Sequence, residues 1–192
     1  MLAGKKILLA VTGSIAAYKA ALIVRLFVKE QAEVRVIMTE NSKKFVTPTT
    51  LSTLSKHPVY SSFYRDNSTE WHNHVALGAW ADVLIIAPAS AQTLSKMAHG
   101  LCDNFLLSVF LSIKCPVYFA PAMDLDMLAH PTTQKNIDTL VLLGNHLIAS
   151  EIGELASGLN GKGRMAEPET IVGIIVEALS CSLKGAALRE PP

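Results

Sequence analysis

The chain has little with which to cross-link itself. Its three cysteines, Cys102, Cys115 and Cys181, stand in no paired spacing. That excludes a disulfide-built scaffold and reads as reduced thiols in a cytoplasmic protein. Neither they nor the six histidines fall at metal-ligand spacing, so no metal site is expected. An excess of one charge is missing too. The formal net charge is +1, and Lys5-Lys6 and Lys43-Lys44 are only pairs, which leaves no basic stripe for nucleic acid. No apolar run reaches the roughly 20 residues of a membrane span, so no membrane partner is expected. The first apolar run is too short for a secretory signal and has no small-residue cleavage site. Neither the G-x-G-x-x-G dinucleotide fingerprint nor the G-K-[ST] of a P-loop is present. No internal repeat or second domain shows.

Half of the residues are apolar, and a chain of 192 residues suggests one domain with a core large enough to fold alone. The chain is organised around Lys6 to Lys19. Ile7–Val11 is a continuous apolar run, read as a strand buried on both faces. Thr12-Gly13-Ser14 breaks it, and a helical period follows with Ala17, Ala21, Val24 and Val28 on one stripe and Lys19, Arg25 and Lys29 off it. Glu33–Met38 is a second strand. A short helix follows Thr47-Pro48, residues 59–64 are extended, and residues 65–73 form a polar loop. A short helix runs from His74 to Asp82, and Val83–Ala87 is the next buried strand. Helices then run from Ser90 to about His99, stopped by Gly100, and from a cap at Asp103 to about Leu111. Pro116–Ala120 is a further strand, Pro131 to about Leu143 a helix ended by Gly144, and His146–Ala149 the last strand. A final helix spans Pro168 to about Leu179. The single domain is thus residues 1–181, and residues 182–192 are expected to be a disordered tail. Strands alternating with helices predict an α/β fold, a doubly wound, mostly parallel Rossmann-like or flavodoxin-like sheet. Ligands in such sheets bind beyond the carboxyl ends of the strands.

Four strand ends carry polar or unusual segments: Thr12–Ser14, Thr39–Ser42, Pro88–Thr93 and Pro121–Met127. Gly13 permits a tight turn, Ser14 can cap the helix, and the N–H groups there suit a phosphate; a plain turn without ligand reads the same way. Ser90 can be an N-cap or, with Thr93, add donors to that phosphate. Phe45 can be core or cover a flat ring. His74 stands just after a long polar loop. Asp124 and Asp126, flanked by Met123 and Met127, can bind, transfer protons or cap. Gly158, Gly161 and Gly163 with Lys162, Arg164 and Glu167 read as a charged flap suited to an anionic substrate, or as a solvated loop.

Taken together and in order, Gly13–Lys19, His74–Leu77 before Trp80-Ala-Asp82, Ala87–Thr93, Met97–Asn104, Pro121–Asp124 and Gly161–Met165 are specific. Over about residues 4–179 the chain resembles the homo-oligomeric flavin-containing cysteine decarboxylases, nearest the branch that acts in coenzyme A biosynthesis. The resemblance implies FMN, with its phosphate at Gly13, Ser14 and Ile15 helped by Ser90 and Thr93. Thr39 and Ser42 would line the flavin site, Phe45 would cover the ring and Ala122 would touch it. It implies His74 as the active-site histidine and Met123, Asp124, Lys162 and Arg164 at the substrate. The reaction implied is decarboxylation of 4′-phosphopantothenoylcysteine to 4′-phosphopantetheine, by way of a thioaldehyde and an enethiolate that is protonated and reduced. It also implies a homotrimer, with trimers assembling into a dodecamer, and a fused or separate phosphopantothenate–cysteine ligase.

Two positions depart from the family pattern. Asp124 stands where the family usually has asparagine, which helps hold the substrate carboxylate. Ser157 stands where the family has the cysteine that protonates the enethiolate, and serine is a far weaker acid. A carboxyl at Asp124 sets carboxylate against carboxylate unless one carries a proton. A protonated Asp124 is therefore the expected acid, and the pair reads as a lineage variant. The alternatives are a peptidyl-cysteine decarboxylase, a non-catalytic FMN-binding subunit and, last, a prenyl-FMN-type transferase.

Overall fold

The computed structural model describes residues 2–64 and 69–186, the last six by backbone alone. Six strands, β1 (Lys6–Val11), β2 (Glu33–Met38), β3 (Val59–Tyr60), β4 (Val83–Ala89), β5 (Val117–Pro121) and β6 (His146–Leu147), form one sheet in the order β3-β2-β1-β4-β5-β6. Every pairing in it is parallel. The order reverses between β1 and β4, so the switch point of the sheet lies there.

Both faces of the sheet are covered, which is why its strands are apolar without alternation. Ile7, Leu9 and Val11 join one core cluster and Leu8 and Ala10 the other, all five fully buried. Among the described residues the α-helices are α1 (Lys19–Lys29), α2 (Pro48–Ser55), α3 (His74–Trp80), α4 (Ala91–Ala98), α5 (Phe105–Ser112), α6 (Leu125–Ala129), α7 (Pro131–Leu142) and, after the last strand, α8 (Pro168–Ala186). Packed pairs are α1 with α8 on the first face, and α4 with α7 and α3 with α5 on the second. Truncating a fully buried strand residue such as Leu9 to alanine would cost about 2–5 kcal/mol.

The doubly wound sheet expected from the sequence is present, with four differences. Buried positions on α1 are Lys19, Ala20, Ile23, Val24 and Phe27, whereas Ala21 and Val28 are half-buried; Lys19 belongs to the buried stripe. Asn104, not Asp103, caps α5, because its extended backbone lets its side chain accept the Leu107 N–H at 3.1 Å while Asp103 pairs with Lys96. The sequence after β6 is not a bare loop: β7 (Glu151–Glu154) and β8 (Asn160–Arg164) form an antiparallel hairpin. Finally, α8 runs on to Ala186 rather than ending at Leu179, so the first residues of the expected tail are helical; residues 187–192 and 65–68 lie outside those described.

Candidate functional site

The switch point is fastened by Thr12. This fully buried residue donates its hydroxyl to the Pro88 carbonyl at 2.7 Å and accepts the Ser90 N–H at 2.9 Å. The end of β1 is thereby locked to the end of β4. Next to it, Ser14 caps a 3-10 turn over Ile15–Tyr18 by accepting the Ala16 N–H at 3.3 Å. The Ser14 and Ile15 N–H groups precede the first bond of that turn, Ala17 N–H to Ser14 C=O at 3.0 Å, and take no partner within it. Gly13 is demanded by packing: a Cβ there would lie 2.7 Å from Cβ of Asn41. The turns after β1 and β2 interlock, and the Thr39 N–H donates to the Val11 carbonyl at 3.1 Å. Ser42, fully buried, donates to the Thr39 carbonyl at 2.7 Å. Ser90 caps α4, accepting the Thr93 N–H at 3.4 Å and donating to Thr93 Oγ1 at 3.1 Å.

A cleft of about 460 Å³ opens beside this edge. Its walls are Ser14–Ala16, Tyr18 and Lys19 from the 3-10 turn and the start of α1, Ala122–Asp124 after β5, and the hairpin through Glu154–Ala156 and Gly163–Met165. The hairpin is seated closely on the β5 end. The Met123 N–H donates to the Gly163 carbonyl at 3.2 Å, and a Cβ on Gly163 would sit 2.4 Å from the Met123 oxygen. Only glycine fits there, since the obstacle is backbone.

Lys19 forms the floor of the cleft's charge. It is 3% exposed, donates to the Met165 carbonyl at 3.0 Å and pairs with Glu167 Oε1 at 3.0 Å. Arg164, half-buried, donates to the same Glu167 oxygen at 2.6 Å. The Lys19 hydrogen bond, above all, holds the Glu167 carboxyl below its usual range. Behind them Glu151 accepts the Glu167 N–H and the Thr170 hydroxyl, each at 3.2 Å. Glu167 and Glu151 lie behind the lining; the two acids of the lining itself, Asp124 and Glu154, have no ion pair among the described residues.

Of the residues singled out from the sequence, Ser14, Ile15, Ala122, Met123, Asp124 and Arg164 line this one cleft. Gly13, Thr39, Ser42, Ser90 and Thr93 stand at the neighbouring strand ends, outside its lining. Phe45 follows a 3-10 turn and is 43% exposed. Lys162 points into a second cavity with Leu125, Asp126 and Ser150. Ser157 sits exposed at the hairpin tip, away from the cleft lining. His74 opens α3 among aromatic rings, 6.2 Å from Phe63 and 6.3 Å from Trp71. Its Nδ1 is buried with no hydrogen-bond partner among the described residues. Sequence reasoning named Thr12 only within the Thr12–Ser14 segment, set Lys19 off the buried stripe and gave no role to Tyr18 or Glu154. Lys19 was detectable, since with Ile23 and Phe27 it keeps the i, i+4 spacing of the buried stripe.

The chain matches known proteins along nearly its whole length. The model of the Flavoprotein family matches residues 1–180. A cysteine/cysteine sulfinic acid decarboxylase from an unknown prokaryotic organism is 54% identical over 135 residues, 70% of this chain and 38% of that protein. A probable phosphopantothenoylcysteine decarboxylase of Streptococcus mutans is 45% identical over 177 residues, 91% of this chain and 99% of that protein. Among solved structures, a cysteine-to-serine mutant of PPC decarboxylase complexed with pantothenoylaminoethenethiol superposes with a TM-score of 0.82 at 36% identity, covering 92% of this chain and 99% of that one. The chain spans less than half the length of several curated relatives that it matches. With a parallel sheet of this order, a ligand-sized cleft at its switch point and the family match running from the first residue into α8, the chain belongs to the Flavoprotein family.

Proposed function

We propose that the chain binds FMN and decarboxylates 4′-phosphopantothenoylcysteine to 4′-phosphopantetheine, a carboxy-lyase step in coenzyme A biosynthesis. The observation that carries this reading is the cleft itself: the turn after β1, the end of β5 and the charged hairpin, 140 residues apart in the chain, face one space of about 460 Å³. That is within the usual range for a small-molecule site. The solved relative complexed with pantothenoylaminoethenethiol supports the substrate class.

The donor set fits a flavin mononucleotide. Gly13, Ser14 and Ile15 would hold its phosphate, with Ser90 and Thr93 beside them; Thr39, Ser42 and Ala122 would line its ring and Phe45 would cover it. FMN, when bound, supplies a reversible two-electron acceptor for the substrate's cysteinyl group. The chain's own residues position and move protons. His74 acts at the reacting centre: its buried, unpartnered Nδ1 would cost about 1–3 kcal/mol unless substrate or a second chain supplies a partner. Met123 and Asp124 meet the substrate at the β5 end, and Asp124, in place of Ser157, delivers the proton to the enethiolate. Arg164 serves its anionic end from the cleft wall.

The assembly is a homotrimer, with trimers joining into a dodecamer. Ile15, Tyr18 and Leu22 support this, an apolar stripe 47–58% exposed beside the cleft. His74 lies outside the cleft of its own chain, so a second copy completes the site. The protein acts in the cytoplasm, alongside a fused or separate phosphopantothenate–cysteine ligase; among the described residues no helix is long and apolar enough to cross a membrane.

A second reading, free cysteine as substrate, is favoured by one feature: Asp124 and Glu154 offer two unpaired carboxylates to an α-ammonium that an N-acylated cysteine lacks. The test is to release the cofactor by heat for chromatography and to incubate the holoprotein anaerobically with each substrate. FMN and turnover of the phosphorylated conjugate are expected. An adenylated flavin, or turnover of free cysteine alone, overturns the first reading.

A further inference from the structure

Glu167 is one carboxylate shared by two cations, Lys19 at 3.0 Å and Arg164 at 2.6 Å. The group therefore carries a residual charge of +1 on the wall of the cleft. Its two cations differ in access. Lys19 is buried and committed to Met165 and Glu167, whereas the Arg164 side chain is 41% exposed. A guanidinium has five donors in a fixed fork, so Arg164 can keep Glu167 and still take up an anion.

We infer that Lys19 is a positioning residue for recognition of the substrate's phosphate: by neutralising Glu167 from below, it leaves Arg164 with charge to spend on the phosphoryl group. The inference rests on the substrate class proposed above, and names the device that serves its anionic end. Without Lys19, Glu167 and Arg164 form a closed neutral pair. Without Glu167 as well, Arg164 again stands alone with its charge. Glu151 lies behind the group, spent on the Glu167 N–H and Thr170 at the start of α8, and Asp124 and Glu154 face the cleft unpaired. These three acids form a constant background in the comparison below.

The test reads binding without turnover. The FMN-loaded holoprotein is titrated with 4′-phosphopantetheine and, separately, with pantetheine, which lacks the phosphate. Lys19→Met is expected to weaken binding of the phosphorylated ligand about tenfold, to leave pantetheine binding unchanged and to retain flavin. The double variant Lys19→Met with Glu167→Gln is expected to return the phosphorylated ligand to within about twofold of the parent, because the net charge of the group returns to +1. A purely structural Lys19 predicts the opposite pattern: both ligands weaken together, or flavin is lost, and the second substitution worsens the first. Either result overturns the inference. Absence of carbon dioxide release by the parent enzyme contradicts the decarboxylase reading instead, and leaves these affinities to be judged on their own.

Discussion

At the carboxyl edge of the sheet, Thr12, Ser42 and Thr93 are buried, and each hydroxyl is held by a neighbouring strand end or turn. Across the cleft, Ile152, Ser157, Leu159 and Lys162 of the hairpin are exposed, and among the described residues its polar ties to the rest of the chain are few: Gly163 on Met123, Arg164 on Glu167, and Glu151 on Glu167 and Thr170. One wall is built from the core outward, its turns held by hydrogen bonds from Thr12, Ser42 and Ser90 while the Ser14 and Ile15 N–H groups stay free of the turn. The other is an attached piece whose position depends on a few polar contacts. Chemistry that needs fixed geometry belongs on the first wall, and recognition that must admit and release a substrate belongs on the second.

The largest effect expected from breaking this division is at His74. Its replacement by asparagine should lower turnover by about 10³-fold with flavin still bound, measured by carbon dioxide release and flavin absorbance. Loss of flavin along with activity would make His74 part of the rigid wall instead. Next is Thr12→Val, which removes the hydroxyl between β1 and β4 and leaves the Ser90 N–H without its acceptor. It should cost about 1–3 kcal/mol in denaturant unfolding and weaken flavin binding, without loosening the hairpin. Asp124 sits where the walls meet. Asp124→Asn alone should slow turnover about tenfold, and adding Ser157→Cys should restore it; full activity of the single variant at every pH would remove Asp124 as the acid. The smallest effect is on pH. The Lys19 hydrogen bond lowers the Glu167 carboxyl in the folded protein. Its contribution is therefore complete above the ordinary glutamate value of about 4.3 and is lost as pH falls below that through the lowered folded value. Amide exchange, corrected for intrinsic rate, should quicken in residues 151–164 over that range before it does in β1.

The rigid wall was legible in the sequence because local rules decide it. Apolar runs, a hydroxyl after each run and a helical period identify β1, β2, β4 and the caps Ser14 and Ser90 within a residue or two. The attached wall was not. Asn160-Gly-Lys-Gly-Arg164 has little intrinsic strand preference, and its fit depends on the distant Met123 backbone, whose oxygen would lie 2.4 Å from a Cβ on Gly163. Lys19 finds its acceptor 146 residues away, a distance no local pattern reports. Ser157, which the resemblance puts in the place of a cysteine, stands in a single chain at the hairpin tip outside the cleft lining; spacing fixes its place in the chain and not its distance from the reacting centre.

The most direct test of the central claim is product analysis after anaerobic mixing of the purified holoprotein with 4′-phosphopantothenoylcysteine. Carbon dioxide and 4′-phosphopantetheine are expected one for one with substrate consumed, and both should vanish in the His74→Asn variant. No carbon dioxide from a protein that holds FMN, or equal release from the variant, would contradict it.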